Sequence, residues 1–154
     1  MPKPNIWVLV ADAARARVFH VERPNMTLAP ALGRELIGPR LQSREIASDR
    51  PGRTFDRAGE GRHAKEPPTD PARHAKGQFA HDLAGLLDDE RKQGSFDRLI
   101  IVAAPQFLGD LRNVMSKQLR DLVADEIAKD LSKLPPQELQ EHLGDVLAQQ
   151  SREG

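Results

Sequence analysis

The chain has 154 residues, as many acidic as basic side chains (23 of each) and no cysteine. That length suits one domain with a single core. The zero net charge argues against a general DNA, nucleic-acid or membrane-surface binder, and the missing thiols exclude disulfides and cysteine-ligated metals. With one Trp, no Tyr and five Phe, the core has to be built from Leu, Val, Ile and Ala. The charge is unevenly placed: residues 50–76 carry seven bases against four acids, whereas residues 121–154 carry eight acids against Lys129, Lys133 and Arg152.

The first apolar run, Ile6 to Ala11, has the composition of a strand buried on both faces. It is too short for a signal peptide or a membrane span, so the expected location is cytoplasmic, with no membrane partner. Asp12 to Arg15 is a polar break, and the alternating run from Ala16 to Glu22 predicts the second arm of a hairpin. After the Pro24-Asn25 turn, Leu32 to Ile37 reads as a third strand, with Leu41 to Ile46 as its ragged continuation.

Residues 50–76 hold almost no apolar side chain except Phe55, together with four Pro and three Gly. A polar connection of this length inside a domain is uncommon unless it binds something. The loop is expected at about residues 47–70. It ends in a helix-start signal, Asp70 as cap and Pro71 as first helical residue. Ala72, Ala75, Phe79, Leu83, Leu86 and Leu87 then recur at helical spacing until Gly94.

Phe96 to Ala104 predicts another buried strand, and Pro105 opens a helix carrying Phe107, Leu108, Leu111, Val114 and Met115. Leu122 to Ile127 fits either a strand or a helix. A strand is preferred because the preceding βα unit needs a neighbour. Pro135-Pro136 start a last helix with Leu139, Leu143, Val146 and Leu147 on one stripe. The order β-β-β-α-β-α-β-α, with the first strand beside the Phe96 strand, predicts an α/β fold with a ribonuclease H-like mixed sheet.

Asp12 ends the first strand, where a ribonuclease H-like nuclease holds a metal-binding carboxylate. Two-metal chemistry needs further converging carboxylates, and the Phe96 strand ends in Ala103-Ala104-Pro105, so Asp12 reads as a turn residue. His74, Gln78 and His81 share one side of the long helix. A zinc site needs three or four ligands of matched geometry, and solvated histidines explain this spacing as well. No metal and no cofactor is expected, and no nucleophile elbow, phosphate-binding loop or dinucleotide fingerprint is present.

The candidate contact residues are therefore Arg53, Arg57, Arg62, His63, Lys65, Arg73, His74 and Lys76. Guanidinium groups on Gly-containing backbone suit phosphate contact, and an extended loop can follow an RNA surface. The interspersed Asp56, Glu60, Glu66 and Asp70 leave a self-neutralising solvated loop as the alternative.

The stretches WVLVADAARARVF, TFDRAGEGRHAKEPPTDPARHAKGQFAHDLA, FDRLIIVAAPQFLGDLR and KDLSKLPPQELQEHL resemble the bacterial host attachment proteins over nearly the whole chain. That family is named for attachment to host cells and is grouped with bacterial relatives of the archaeo-eukaryotic peptide-chain release factor. The resemblance implies a fold like that factor's central domain and makes the ribosome or tRNA the expected partner of the loop. In the release factor, a Gly-Gly-Gln motif on the equivalent loop promotes peptidyl-tRNA hydrolysis. Here the nearest match is Gly77-Gln78, with Lys76 at the first position and the pair inside the predicted helix, so no catalytic role passes to Gln78. A binding domain is the leading expectation. A hydrolase using loop residues such as His63, or an indirect factor in attachment, are the alternatives, and the sequence leaves the oligomeric state open.

Overall fold

The computed structural model describes residues 3–32, 35–38 and 71–153, with the side chains of all but 71–76 and 153. Its strands are β1 (Ile6–Ala11), β2 (Arg15–Glu22), β3 (Thr27–Pro30), β4 (Leu36–Ile37), β5 (Arg98–Ala103) and β6 (Val123–Ile127). The helices, numbered here in chain order, are α1 (Pro71–Lys92), α2 (Pro105–Val114), α3 (Lys117–Asp121), α4 (Pro136–His142) and α5 (Gly144–Glu153).

The sheet is mixed and runs β3-β2-β1-β5-β6, with β4 pairing with β2 beyond β3. Strand β1 is antiparallel to β2 and parallel to β5, in register from Ile6 opposite Arg98 to Ala11 opposite Ala103. Every residue of β1 is buried. The reason is that both faces are covered: Trp7, Leu9 and Ala11 join one core cluster, and Ile6, Val8 and Val10 the other. A central strand with two covered faces has no use for alternation, which is why its sequence is continuously apolar.

One face is covered by α1 and α2 through Phe79, Leu83, Leu87, Phe107 and Leu111. The other is covered by α4 and α5 through Leu139, Leu143 and Leu147. Each such fully buried side chain contributes roughly 1.5–3 kcal/mol of hydrophobic stabilisation. Aromatic stacking of Phe79 on Phe107, centroids 5.7 Å apart, ties α1 to α2. Helix α1 stops where the sequence placed its end. Gly94 takes the left-handed conformation (φ 78°), with Gly94 N–H donating to Arg91 O and Ser95 N–H to Glu90 O, a Schellman closure that glycine adopts without a Cβ penalty.

Several expectations are corrected. The third strand is not one piece from Leu32 to Ile37. Strand β3 is Thr27–Pro30, with Ala31 N–H still donating to Val18 O just beyond it, and the short β4 is Leu36–Ile37. Its continuation over Leu41 to Ile46 and the Asp70 cap lie outside the described residues. Val114, expected on an apolar stripe, is exposed, since α2 ends there and Met115 turns inward in extended conformation. A further short helix, α3, follows, capped by Ser116 Oγ, which accepts from Leu119 N–H. The last helix is two, α4 and α5, separated at Leu143. Val123–Ile127 is a strand, as preferred.

Candidate functional site at the carboxyl edge of the sheet

The chain leaving β5 enters α2 on one face, and the chain leaving β6 reaches α4 on the other. Divergent connections of this kind open a crevice at the carboxyl ends of the strands, where ligands of open α/β sheets bind. A cleft of about 260 Å³ lies there, lined by Asp12, Ala14, Gln106, Phe107, Asp110 and Asp130 among others.

Asp12 fixes the turn that leads out of β1. Its Oδ1 accepts from the N–H groups of Ala14 (2.7 Å) and Arg15 (2.9 Å), and its Oδ2 accepts from Ser132 Oγ at 2.6 Å. Partial burial pushes this carboxyl up, but the Ser132 bond, the two backbone N–H groups and the Arg15 charge outweigh it and hold the group below its ordinary value. Asp12 is thus a satisfied, ionised turn residue, as the polar break in the sequence implied.

Ser132 is itself buried, and its hydroxyl also lies 2.7 Å from Asp130 Oδ1. A hydroxyl has one proton to donate, and both carboxylates compete for it. Arg17, on β2, donates from Nη2 to the carbonyls of Ser132 and Leu134, at 2.7 Å each, and lies over the Phe19 ring at 5.6 Å. Burial pulls its guanidinium down from the usual range, and the Glu35 charge offsets part of that.

Asp110, Asp130, Gln106 and Ser132 were not singled out in the sequence. The available signals were positional: Asp110 lies one turn into the helix that follows β5, and Asp130-Leu131-Ser132 has Asx-turn spacing, with Ser132 N–H donating to Asp130 Oδ1 at 3.2 Å. Among the described residues, no group of three or more His, Asp or Glu side chains is arranged to hold a metal ion.

Of the predicted contact residues, Arg53, Arg57, Arg62, His63 and Lys65 lie outside the described residues. Arg73, His74 and Lys76 fall on the first two turns of α1. The position of those turns follows from their neighbours. Gly38 N–H donates to Ala14 O at 2.7 Å, and a Cβ at Gly38 would come within 3.3 Å of Phe79 Cγ, so Phe79 is at the carboxyl end of β1. The other end of α1 leads to Asp97, whose N–H donates to Asn5 O at the amino end of β1. Helix α1 therefore runs antiparallel to β1, and the eight residues before Phe79, about 12 Å of helix, extend outward from the carboxyl edge. His81 and Gln78 are exposed, and Gln78 bonds Asp82 within the helix. Gly77-Gln78 is helical and not part of a loop.

The family model described as "Protein required for attachment to host cells" matches residues 7–143. The chain belongs to that family. Among solved structures, this host-attachment chain is similar to an archaeal protein at 12% identity and a TM-score of 0.48, over 97% of this chain and 36% of that one. It is also similar to an archaeal translation termination factor at 14% identity and a TM-score of 0.44, over 97% of this chain and 37% of that one. The chain spans little more than a third of either structure's length. No curated protein matches. Among the described residues of this family member, no helix is long and apolar enough to cross a membrane.

Proposed function

We propose that this host-attachment protein is a ribosome- or RNA-associated binding domain that presents its basic segment from the carboxyl edge of the sheet. The observation that carries the reading is the placement of the flanks. Gly38 and Phe79 of α1 both lie at that edge, and the chain that joins them carries Arg53, Arg57, Arg62, His63 and Lys65. Arg73, His74 and Lys76 stand on the helical extension beside it. A concentrated cationic segment offered from a rigid edge suits phosphate contact, because the sheet and α1 hold it while guanidinium forks pair with phosphate oxygens.

A ribonuclease H-like topology and kinship with the central domain of release factors belong to the same proposal. In its support, β1 stands between an antiparallel meander on one side and parallel strands on the other. The attachment in the family's name is then an indirect consequence of a cytoplasmic role.

Sedimentation of cell lysate through a gradient tests the reading. At low salt the protein travels with ribosomal fractions, and replacing Arg53, Arg57, Arg62 and Lys65 by Ala moves it to the top. Loss of four phosphate contacts lowers the slope of log affinity against log salt by roughly three. Absence from every ribosomal fraction at low salt, or sedimentation indifferent to the four substitutions, rules it out.

A further inference from the structure

Residues 128–135 connect β6 to α4 without helix or strand, and Ala128, Lys129, Asp130, Lys133 and Pro135 are exposed. Leu131 and Leu134 hold the segment to the α4/α5 face of the core. Its backbone is otherwise tied down by side chains of the neighbouring strand and turn: Arg17 through the two carbonyls of Ser132 and Leu134, and Asp12 through the Ser132 hydroxyl.

This closure is incompletely satisfied. Among the described residues, Arg17 Nε is buried with no hydrogen-bond partner, so part of the cost of desolvating the guanidinium is not returned by bonds to them. The Ser132 proton can serve Asp12 or Asp130 but not both. Strands β1 and β5, by contrast, are laddered on both sides. Segments with few buried anchors and irregular backbone open at lower free energy than a laddered sheet.

We propose that residues 128–135 form a latched strap that opens as a local unit while the sheet stays folded, with Arg17 as the latch. Opening widens the cleft, because Asp130 is part of both the strap and the cleft wall. A ligand that engages Asp130 from the cleft relieves the competition for the Ser132 proton and leaves that proton to Asp12, so it favours the latched state. The latch does not depend on what the basic segment binds, and its failure would leave the ribosome reading untouched.

Amide exchange followed by NMR on the full chain tests this, because two amides report the strap from within: Ser132 N–H donates to Asp130 Oδ1 and Leu134 N–H to Leu131 O, both at 3.2 Å. In the wild type both exchange faster than the amides of β1 and β5. Arg17→Gln accelerates both by roughly tenfold or more with the β1 and β5 amides unchanged, and Ser132→Ala acts in the same direction by a smaller factor. The proposal is overturned if the two amides exchange in the wild type at the rate of the sheet, if both variants leave their rates unchanged, if every amide accelerates in proportion, or if neither variant folds.

Discussion

Replacing Asp12 by Ala removes the acceptor of three hydrogen bonds, from Ala14 N–H, Arg15 N–H and Ser132 Oγ. Each such bond contributes roughly 0.5–1.5 kcal/mol net. Water reaches the half-exposed turn and replaces part of the loss, which puts the expected cost at about 2 kcal/mol and the fall in Tm at roughly 4–8 °C for a domain of this size. Trp7 provides the readout: it is the single tryptophan, is buried, and lies with its ring centroid 5.2 Å from that of Phe96, so urea unfolding can be followed by its fluorescence. The pH dependence carries a definite sign. The folded-state pKa of Asp12 lies below its ordinary value of 3.8, so its contribution is fully present above that value and is lost as pH falls through the folded pKa. The stability gap between wild type and Asp12→Ala is therefore constant from neutral pH to about pH 5 and narrows only in stronger acid. A gap under about 0.5 kcal/mol at pH 7, within the range of ordinary surface substitutions, or one that widens on acidification, would refute the role given to Asp12.

Three further outcomes are expected. Leu83→Ala and Leu143→Ala, which open cavities on opposite faces of the sheet, each lower the urea-derived stability by roughly 2–5 kcal/mol; a cost under 1 kcal/mol for either would mean that its face is not packed as described. Gly38→Ala brings a Cβ within 3.2 Å of Ala14 O and 3.3 Å of Phe79 Cγ, and costs about 1–2 kcal/mol by overpacking in the same assay, whereas Gly85→Ala, whose Cβ meets nothing within 4 Å, stabilises α1 by roughly 0.5–1 kcal/mol. Asp88 accepts from Arg91 Nε and from Ser116 Oγ, so Asp88→Ala loosens the contact between the end of α1 and the cap of α3, seen as faster amide exchange at Leu119 than in the wild type.

The parts of the fold that were legible in the sequence are those where one local signal coincides with one tertiary role. The runs at Ile6–Ala11 and Arg98–Ala103 are apolar because both faces of their strands are covered, and Gly94 is where α1 needs a left-handed residue. Signals failed where tertiary contact decides. Val114 has the right spacing for a stripe but the helix ends beneath it, and the third strand pairs with β2 over Thr27–Pro30, ahead of the Leu32 to Ile37 run the sequence offered. The cleft was half legible. Asp12 stood out at the end of a strand, but Asp110 and Asp130 lie about 100 and 120 residues further on, and only the sheet's topology brings them to the same crevice. Ser132 was hidden among six serines with no surrounding pattern, since its role depends on a contact 120 positions away in the chain.

Among the described residues, a donor on each outer strand of the sheet is satisfied by different means. On β3, the Leu28 N–H is taken by Gln140 Oε1 from α4 at 3.2 Å, a cover supplied by another element. On β6, the Glu126 N–H donates to the neighbouring Asp125 Oδ1 at 2.9 Å, and Glu126 is held by Arg112 from α2. A donor already satisfied by its own neighbour is not free to extend the ladder. Each of these strands thus has one donor that is not free to pair with an added strand. At the carboxyl end of the sheet β1, β5 and β6 finish together, the cleft opens, and α1 carries Arg73, His74 and Lys76 on its first turns. On the proposed function, a phosphate-bearing partner is repelled from the cleft by the carboxylates of Asp12, Asp110 and Asp130 that line it. Binding is thus expected at the rim and not within the cleft, and Asp110→Asn should strengthen RNA association at low salt; weaker association in that variant would place the contact inside the cleft instead.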